Sequence, residues 1–376
     1  MPQASSKIRC YKELLRLDLR PTPYEAVFAV FALTVCTILY THSPLPLSWT
    51  LATFFLLDLC KLVLAAGILG AAITLGKLLR FRHAAGGWPR SQSQILEICS
   101  PYLTLDWYLR NFRRGFSILG VIYFFLHLKH VVLFINPSNH DLFFWNLDRK
   151  LHFGVQPNIW LMQTFGSNGE LALLVDWLYI KYFDFKVLVS VLFLLELKGR
   201  LLTERYFFAY ALLWSIGGLA YLVAPTDGPC YAILGQHSVP PELQQHVFQF
   251  PVTTDIPPSY EEQYQAARIW NAKIYQEDLW KARFDLILNH RLPNYFYGIA
   301  AMPSLHVAAV AMIFIFLCAL SSVAGFFGAI YFLAIWFGSV FLQWHYAVDG
   351  YAGLAMAIFA SWLSFRLVRA RRGISF

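Results

Sequence analysis

The run Ser304-Leu305-His306-Val307-Ala308-Ala309-Val310-Ala311-Met312-Ile313-Phe314-Ile315-Phe316-Leu317-Cys318-Ala319-Leu320 decides how this chain folds. It carries no charged residue, and its one ionisable ring, His306, stands near its start. A helix of about 17–25 apolar residues is what a hydrocarbon core of ~30 Å requires. Two more such segments follow, Ala324–Gln343 and Tyr351–Phe365, separated by His345-Tyr346-Ala347-Val348-Asp349. If the first two form a hairpin, His306 and His345 meet at one membrane face.

Working outward, five earlier segments have the same character: Tyr24–Tyr40, Leu51–Leu75, Phe116–Ile135, Val187–Leu197 extended at both ends, and Tyr206–Val223. The expected fold is therefore an all-α integral membrane bundle of about eight transmembrane helices. The composition agrees. Of 376 residues 58% are hydrophobic and only 14% charged, which excludes an ordinary soluble domain. A net charge of +8 would suit nucleic acid only if the basic residues shared a soluble surface. Here they punctuate apolar segments, so the partners expected are the membrane and a lipid substrate, with no nucleic acid. Met1 to Arg20 is basic over too long a stretch for a signal peptide and reads as a cytosolic tail. The six scattered cysteines fit neither a metal site nor a disulfide framework, and no metal or other cofactor is expected.

The basic residues orient the bundle. With the N-terminus inside, the N-tail, the Lys77–Arg114 loop, the Lys198–Arg205 loop and the C-tail hold 19 of the 30 Lys and Arg. Only nine fall on outer segments, and Lys61 and Lys129 lie within spans. The positive-inside rule then puts both termini in the cytosol and both histidine segments on the periplasmic or lumenal face. The outer loops lack an Asn-x-Ser/Thr acceptor, because Pro137 interrupts Asn136-Pro137-Ser138. This favours a bacterial inner membrane over the endoplasmic reticulum or Golgi.

Residues 1–115 read as the tail, two accessory spans and a basic loop, and residues 116–376 as a six-helix catalytic core. Two outer loops interrupt the core. Residues 136–184 read as interfacial helices, with Asp148-Arg149-Lys150 as a solvated face. Residues 225–300 open with the turn-rich Pro225-Thr226-Asp227-Gly228-Pro229 and continue into a helical stretch from Tyr260 to Leu288, expected to cap the active face.

Pro303 suits a first helical turn, where its missing N–H is not needed. Ser304 and His306 then stand at a helix N-terminus, whose free N–H groups and partial positive charge seat phosphate well. His345 and Asp349, four apart, share a helix face, so the carboxylate can orient the imidazole for nucleophilic attack. Each segment alone is equally consistent with an ordinary interfacial histidine. The shared face is what joins them. Within the spans, Asp58 and Lys61 can pair across one turn. His127, Lys129 and His130 admit both anion binding and snorkelling to the interface.

Ala301-Met302-Pro303-Ser304-Leu305-His306 and His345-Tyr346-Ala347-Val348-Asp349 resemble the second and third signature motifs of the type 2 phosphatidic acid phosphatase superfamily, closest to its inositol phosphorylceramide synthase-like branch. The resemblance spans roughly Phe116 to Arg369. It implies His345 as a nucleophile passing through a phosphohistidine, Asp349 as its orienter, His306 as proton donor to the leaving oxygen, and Ser304 as a phosphate ligand.

Two departures bear on the reaction. The phosphatase form of the third motif has Ser-Arg seven and six residues before its histidine, where this chain has Gly338 and Ser339. The first motif, Lys-x6-Arg-Pro, is also missing from the outer loop, where Pro225–Tyr231 stands instead. Lys198 and Arg205 have that spacing but belong to the inner face. Arg291 or His290 could supply the missing cation, although a solvated loop is the simpler reading of both. A phosphodiester needs fewer cations than a dianionic phosphomonoester. The expected activity is therefore a lipid phosphotransferase, with a lipid phosphate or polyprenyl (pyro)phosphate phosphatase as the alternative. A transporter gated by histidines is more remote, since no inverted repeat or interrupted span is evident.

Overall fold

The computed structural model describes residues 18–43, 45–99, 102, 104–232, 256–257, 259–290 and 298–369. Within them every regular element is a helix: α1 (Pro23–His42), α2 (Trp49–Ala85), α3 (Gln92–Cys99), α4 (Leu105–Ile135), α5 (Asp141–Leu151), α6 (Pro157–Phe165), α7 (Gly169–Ile180), α8 (Tyr182–Leu194), α9 (Arg200–Val223), α10 (Pro229–Ala232), α11 (Tyr260–Ala266), α12 (Asn271–Asn289), α13 (Leu305–Leu320), α14 (Ser322–Phe341) and α15 (Ala347–Leu367).

Six of these, α1, α2, α4, α9, α14 and α15, are long and apolar enough to cross a membrane, where eight were expected. The run beginning at Ser304 forms α13, apolar but only 16 residues long. The expected fourth span, Val187–Leu197 extended at both ends, forms α8, which starts at Tyr182 and stops at Leu194, 13 residues in all. Lys181 and Asp184 pair at 2.8 Å at its N-terminal end.

Local signals set the ends of the long helices. Ser48 caps α2 by accepting from the Leu51 N–H, and Gly86 closes it in the left-handed conformation, with φ 67°. Thr104 caps α4, and Ser321 caps α14 immediately after α13 ends. That single-residue link makes α13 and α14 a tight hairpin. α13 packs on α15, which also packs on α9, while α14 packs on α7. In turn α9 packs on α4, and α1 lies against α4 and α9. Glycines set the closest approaches: Gly217 of α9 meets Leu305, and Gly353 of α15 meets the Ser304 carbonyl.

The two ends of the bundle differ chemically. At one end Arg114, with no exposure, binds Glu196 and Glu204, each at 2.7 Å. Arg113 binds Glu25 at 2.6 Å, and Arg200 binds Asp18 at 3.1 Å. Arg110 joins this cluster through Asp106. Arg205 lies at this end too, donating to the Val368 carbonyl, so its spacing from Lys198 has no bearing on the histidines. The opposite end holds His306 and His345. Short α8 runs between the two, from Tyr182 beside His306 to Phe193, whose carbonyl accepts from Thr203.

The expected outer helices are present but more deeply packed than an interfacial layer. Asp141, Asp148 and Asn158 have no exposure, and Asp176 has 1%. The expected continuous helix from Tyr260 to Leu288 is two helices. Asp176 separates them by accepting the N–H groups of Trp270, Asn271 and Ala272 at the start of α12. Asp58 and Lys61 do pair, at 3.0 Å, on the exposed side of α2.

Candidate active site

The α13–α14 hairpin returns the chain to where it left. His306, in the first turn of α13, and His345, just before α15, lie with ring centroids 6.0 Å apart and planes inclined at 58°. Ser304 is the N-cap of α13, accepting from the Val307 N–H. Pro303 therefore precedes the helix and does not open its first turn, and its bond to Met302 is cis. Asp349 lies in the first turn of α15. Its Oδ2 accepts the Tyr346 N–H at 3.0 Å and lies 3.3 Å from His345 Nδ1. The histidine and carboxylate thus pair across a helix start, not along one helical face. His345 is buried. Burial, then the positive charge of Lys129, pushes its pKa down to about 3, so the ring is neutral near pH 7.

Aromatic rings wall this pair. Tyr179, Tyr182 and Phe183 stand 5.3, 4.7 and 6.1 Å from the His306 ring. Trp344 stacks on Tyr179 at 6.5 Å. Such walls keep a site dry and strengthen every electrostatic interaction inside it.

Polar residues outside the two motifs hold the histidines in place. Asp148 accepts the N–H groups of Ala347 and Val348, both at 2.9 Å, and so caps α15 from α5. The reading of Asp148 as part of a solvated face is therefore wrong, because its carboxylate is spent on backbone 199 residues away. Asp141 accepts from Asp227 N–H, Gly228 N–H and the Tyr346 hydroxyl, tying the Pro225–Pro229 turn to the His345 segment. Burial raises both carboxyls to about 6, helped in Asp141 by the charge of Asp227. Asn158 donates to the Val340 and His345 carbonyls, each at 3.0 Å. Thr226 receives the Ala301 and Met302 N–H groups, anchoring the approach to α13. From above, Tyr260 donates to Gln343 and Gln276 donates to the Leu342 carbonyl, so α11 and α12 rest on the turn carrying His345.

Two residues, His290 and Arg291, are the expected replacements for the missing cation. His290 ends α12, exposed, with its ring 6.0 Å from Phe134, and Arg291 lies outside the described residues. Position 339 is structural here: the Ser339 carbonyl accepts the N–H groups of Trp344 and His345, both at 3.0 Å. His127 is structural as well, held by Tyr123 O and Ser48 N–H. Two lysines stand near the pair. Lys129 and Lys186 both lie within electrostatic reach of His306. Among the described residues no group of three or more His, Cys, Asp or Glu is placed to hold a metal ion.

Residues 142–363 match the family model of the PAP2 superfamily, which takes in α6 to α14, most of α5 and α15, and both histidine segments. The chain belongs to the PAP2 superfamily. No curated protein and no solved structure matches it. The PAP2 match begins inside α5, so it leaves out α4, which the sequence resemblance had included from Phe116. Membership brings a phosphatase or phosphotransferase type of chemistry on lipid phosphates. Lys129 lies outside the PAP2 match and Lys186 inside it.

Proposed function

We propose that the protein is a membrane-embedded lipid phosphotransferase acting through a phosphohistidine. The observation that carries this reading is the 6.0 Å separation of the His306 and His345 rings, with Asp349 behind His345. Two rings so placed can reach opposite sides of one tetrahedral phosphorus. Neutral His345 attacks the phosphorus, and the bond to the leaving oxygen breaks as His306 donates its proton to that oxygen. Asp349 holds the His345 ring and offsets the charge it gains. In the second half, His306 takes the proton of an acceptor hydroxyl, whose oxygen attacks phosphorus and frees His345. Ser304 supports the phosphoryl oxygens at the start of α13.

A lipid donor suits the surroundings. A cleft of about 370 Å³ opens beside Ala347, lined by apolar side chains that include Trp160, Leu161, Leu333 and Phe337. It has the dimensions and lining to take an apolar chain. The dry aromatic wall favours a lipid or sugar hydroxyl over water as acceptor. The two lysines favour a second reading, since they restore positive charge that a phosphomonoester needs. In that case water accepts and the enzyme is a lipid phosphate or polyprenyl (pyro)phosphate phosphatase. We assign the chain to the inositol phosphorylceramide synthase-like branch, whose motif form it resembles. We place the site on the outer face of a bacterial inner membrane, with both termini cytosolic. Eight crossings result, α8 and α13 supplying the two beyond the long helices, with residues 116–376 as the catalytic core.

The test is incubation of purified protein with phosphorus-labelled phospholipids and polyprenyl phosphates, with and without hydroxyl acceptors. Label moving to the acceptor supports the transferase, and release as inorganic phosphate supports the phosphatase. Full turnover by His345→Ala refutes both.

A further inference from the structure

The third-motif arginine is replaced by Ser339 and the first motif's Lys and Arg are missing from the outer loop, yet a phosphate among aromatic rings needs cations. We propose that Lys129 of α4 and Lys186 of α8 form a two-cation seat for the substrate phosphate, flanking His306 and His345. The proposal rests on the phosphoryl-transfer reading of this site.

Geometry brings both lysines to the pair. Lys186 Nζ stands 5.3 Å from the Tyr182 ring and 5.2 Å from the Phe183 ring. The same two rings border His306 at 4.7 and 6.1 Å. Lys186 also lies 4.9 Å from the Trp214 ring. Lys129 approaches from α4, with Nζ 5.8 Å from the Tyr221 ring. The Tyr221 hydroxyl in turn faces the Leu305 backbone, one residue from His306. The Lys129 stem lies 3.1 Å from where a Cβ on Gly298 would stand, so that residue has to be small for the lysine to pass.

Charge then identifies the ligand. Among the described residues neither lysine pairs with a carboxylate. Asp184, nearest in sequence to Lys186, is paired with Lys181. Asp227 is bound to Arg283 at 2.5 Å, and Asp349 serves His345 and the Tyr346 N–H. Both lysines are half-buried and hold their ammonium groups against rings, where an uncompensated charge is costly. Aromatic faces recover part of that cost. An anion recovers the rest, and a tetrahedral phosphate is the anion that can face two ammonium groups and two imidazoles together. The seat recognises the phosphate whether it comes on a lipid or free.

The test uses the full chain in detergent micelles, carrying His345→Ala so that nothing turns over. Monododecyl phosphate and inorganic phosphate are titrated into this parent and into Lys129→Gln, Lys186→Gln, the double variant and the two Lys→Arg variants. Loss of one charge-assisted contact should weaken dodecyl phosphate about tenfold, and loss of both roughly a hundredfold. The arginine variants should stay within about threefold of the parent. Inorganic phosphate should show the same lysine dependence at lower affinity if the apolar chain contributes. Where a glutamine variant does not fold, dodecyl phosphate should protect Lys129 and Lys186 of the parent from reductive methylation, read by mass spectrometry. A parent that binds neither ligand, a double variant that binds as tightly as the parent, or equal methylation with and without ligand overturns the seat. The two readings fail separately. Lysine-dependent binding without label transfer in the His345 chain keeps the seat and removes the reaction. Transfer with a KM unchanged by both glutamines removes the seat and keeps the reaction.

Discussion

The backbone N–H of Ser304 donates to the Asp349 carbonyl at 3.0 Å, so the two motif segments are joined by main chain as well as by facing side chains. That contact needs α13 and α15 almost touching, and Gly353 allows it. A Cβ there would stand 2.5 Å from the Ser304 carbonyl oxygen and 3.2 Å from the Ala308 nitrogen. Both neighbours are backbone and cannot swing aside. Gly353→Ala should therefore push the helix ends apart at a cost of about 1–3 kcal/mol. We expect a lower melting temperature in micelles and at least a tenfold loss of phosphoryl transfer, with membrane insertion retained. Wild-type activity in this variant would show that the close approach is dispensable.

Gly228 has a different reason to be glycine. Its φ is 90°, and a Cβ would meet the Trp344 carbonyl oxygen at 2.6 Å. The turn it belongs to receives Asp141 on one side, and its Thr226 holds the Ala301 and Met302 N–H groups on the other. Gly228→Ala should cost more than the usual ~1 kcal/mol of a left-handed alanine, because the clash adds to it. The measurement is the initial rate alongside thermal stability. Activity should fall further than stability accounts for, since the displaced turn carries the approach to His306.

Asp148 gives a pH-dependent prediction. Burial raises its carboxyl from about 3.8 to about 6. The folded protein therefore holds that proton more tightly than the unfolded chain. Between roughly pH 4 and 6 the folded state binds more protons, and this group's contribution to stability falls as pH rises through that window. Asp148→Asn cannot titrate and offers a single acceptor oxygen to the N–H groups of Ala347 and Val348. The variant should melt lower at every pH, and the gap from wild type should be wider at pH 5 than at pH 7.5. A gap that narrows on acidification contradicts the assignment.

The difference between Asp148 and His345 shows what was legible in the chain. The apolar runs and the histidine motifs are local: each is written in consecutive residues, so the long apolar helices and the candidate histidines can be read directly. The supports are not local. Asp148 acts on Ala347, Asp141 on Tyr346 and Asn158 on His345, each partner more than 180 residues away, and nothing near these side chains marks them as buried. An acidic residue beside Arg149 and Lys150 has the pattern of a solvated face, and only the fold shows otherwise. The fourth span is legible only in part: its apolar run is short and begins among aromatic and charged residues, and the helix it forms, α8, ends at Leu194. Lys129 drew notice as a charge within a span, whereas Lys186 read as one more outer-loop charge.

If His345 is the nucleophile, as proposed, its low pKa, about 3, sets the acid limit of the reaction. An ordinary imidazole near 6.5 would lose its nucleophilic form as pH falls through that value. His345 keeps its form well below it, because burial and then Lys129 disfavour the charged ring. A phosphodiester donor has no titration of its own between pH 5 and 8, so the first burst of released alcohol reports the enzyme. That burst should show no loss centred near pH 6.5. Lys129→Gln removes the second cause and leaves burial in place, so the acid limb should move upward relative to wild type while remaining below 6.5. A burst in wild type that halves near pH 6.5, or a limb unmoved by Lys129→Gln, would mean that the nucleophile does not sense this lysine.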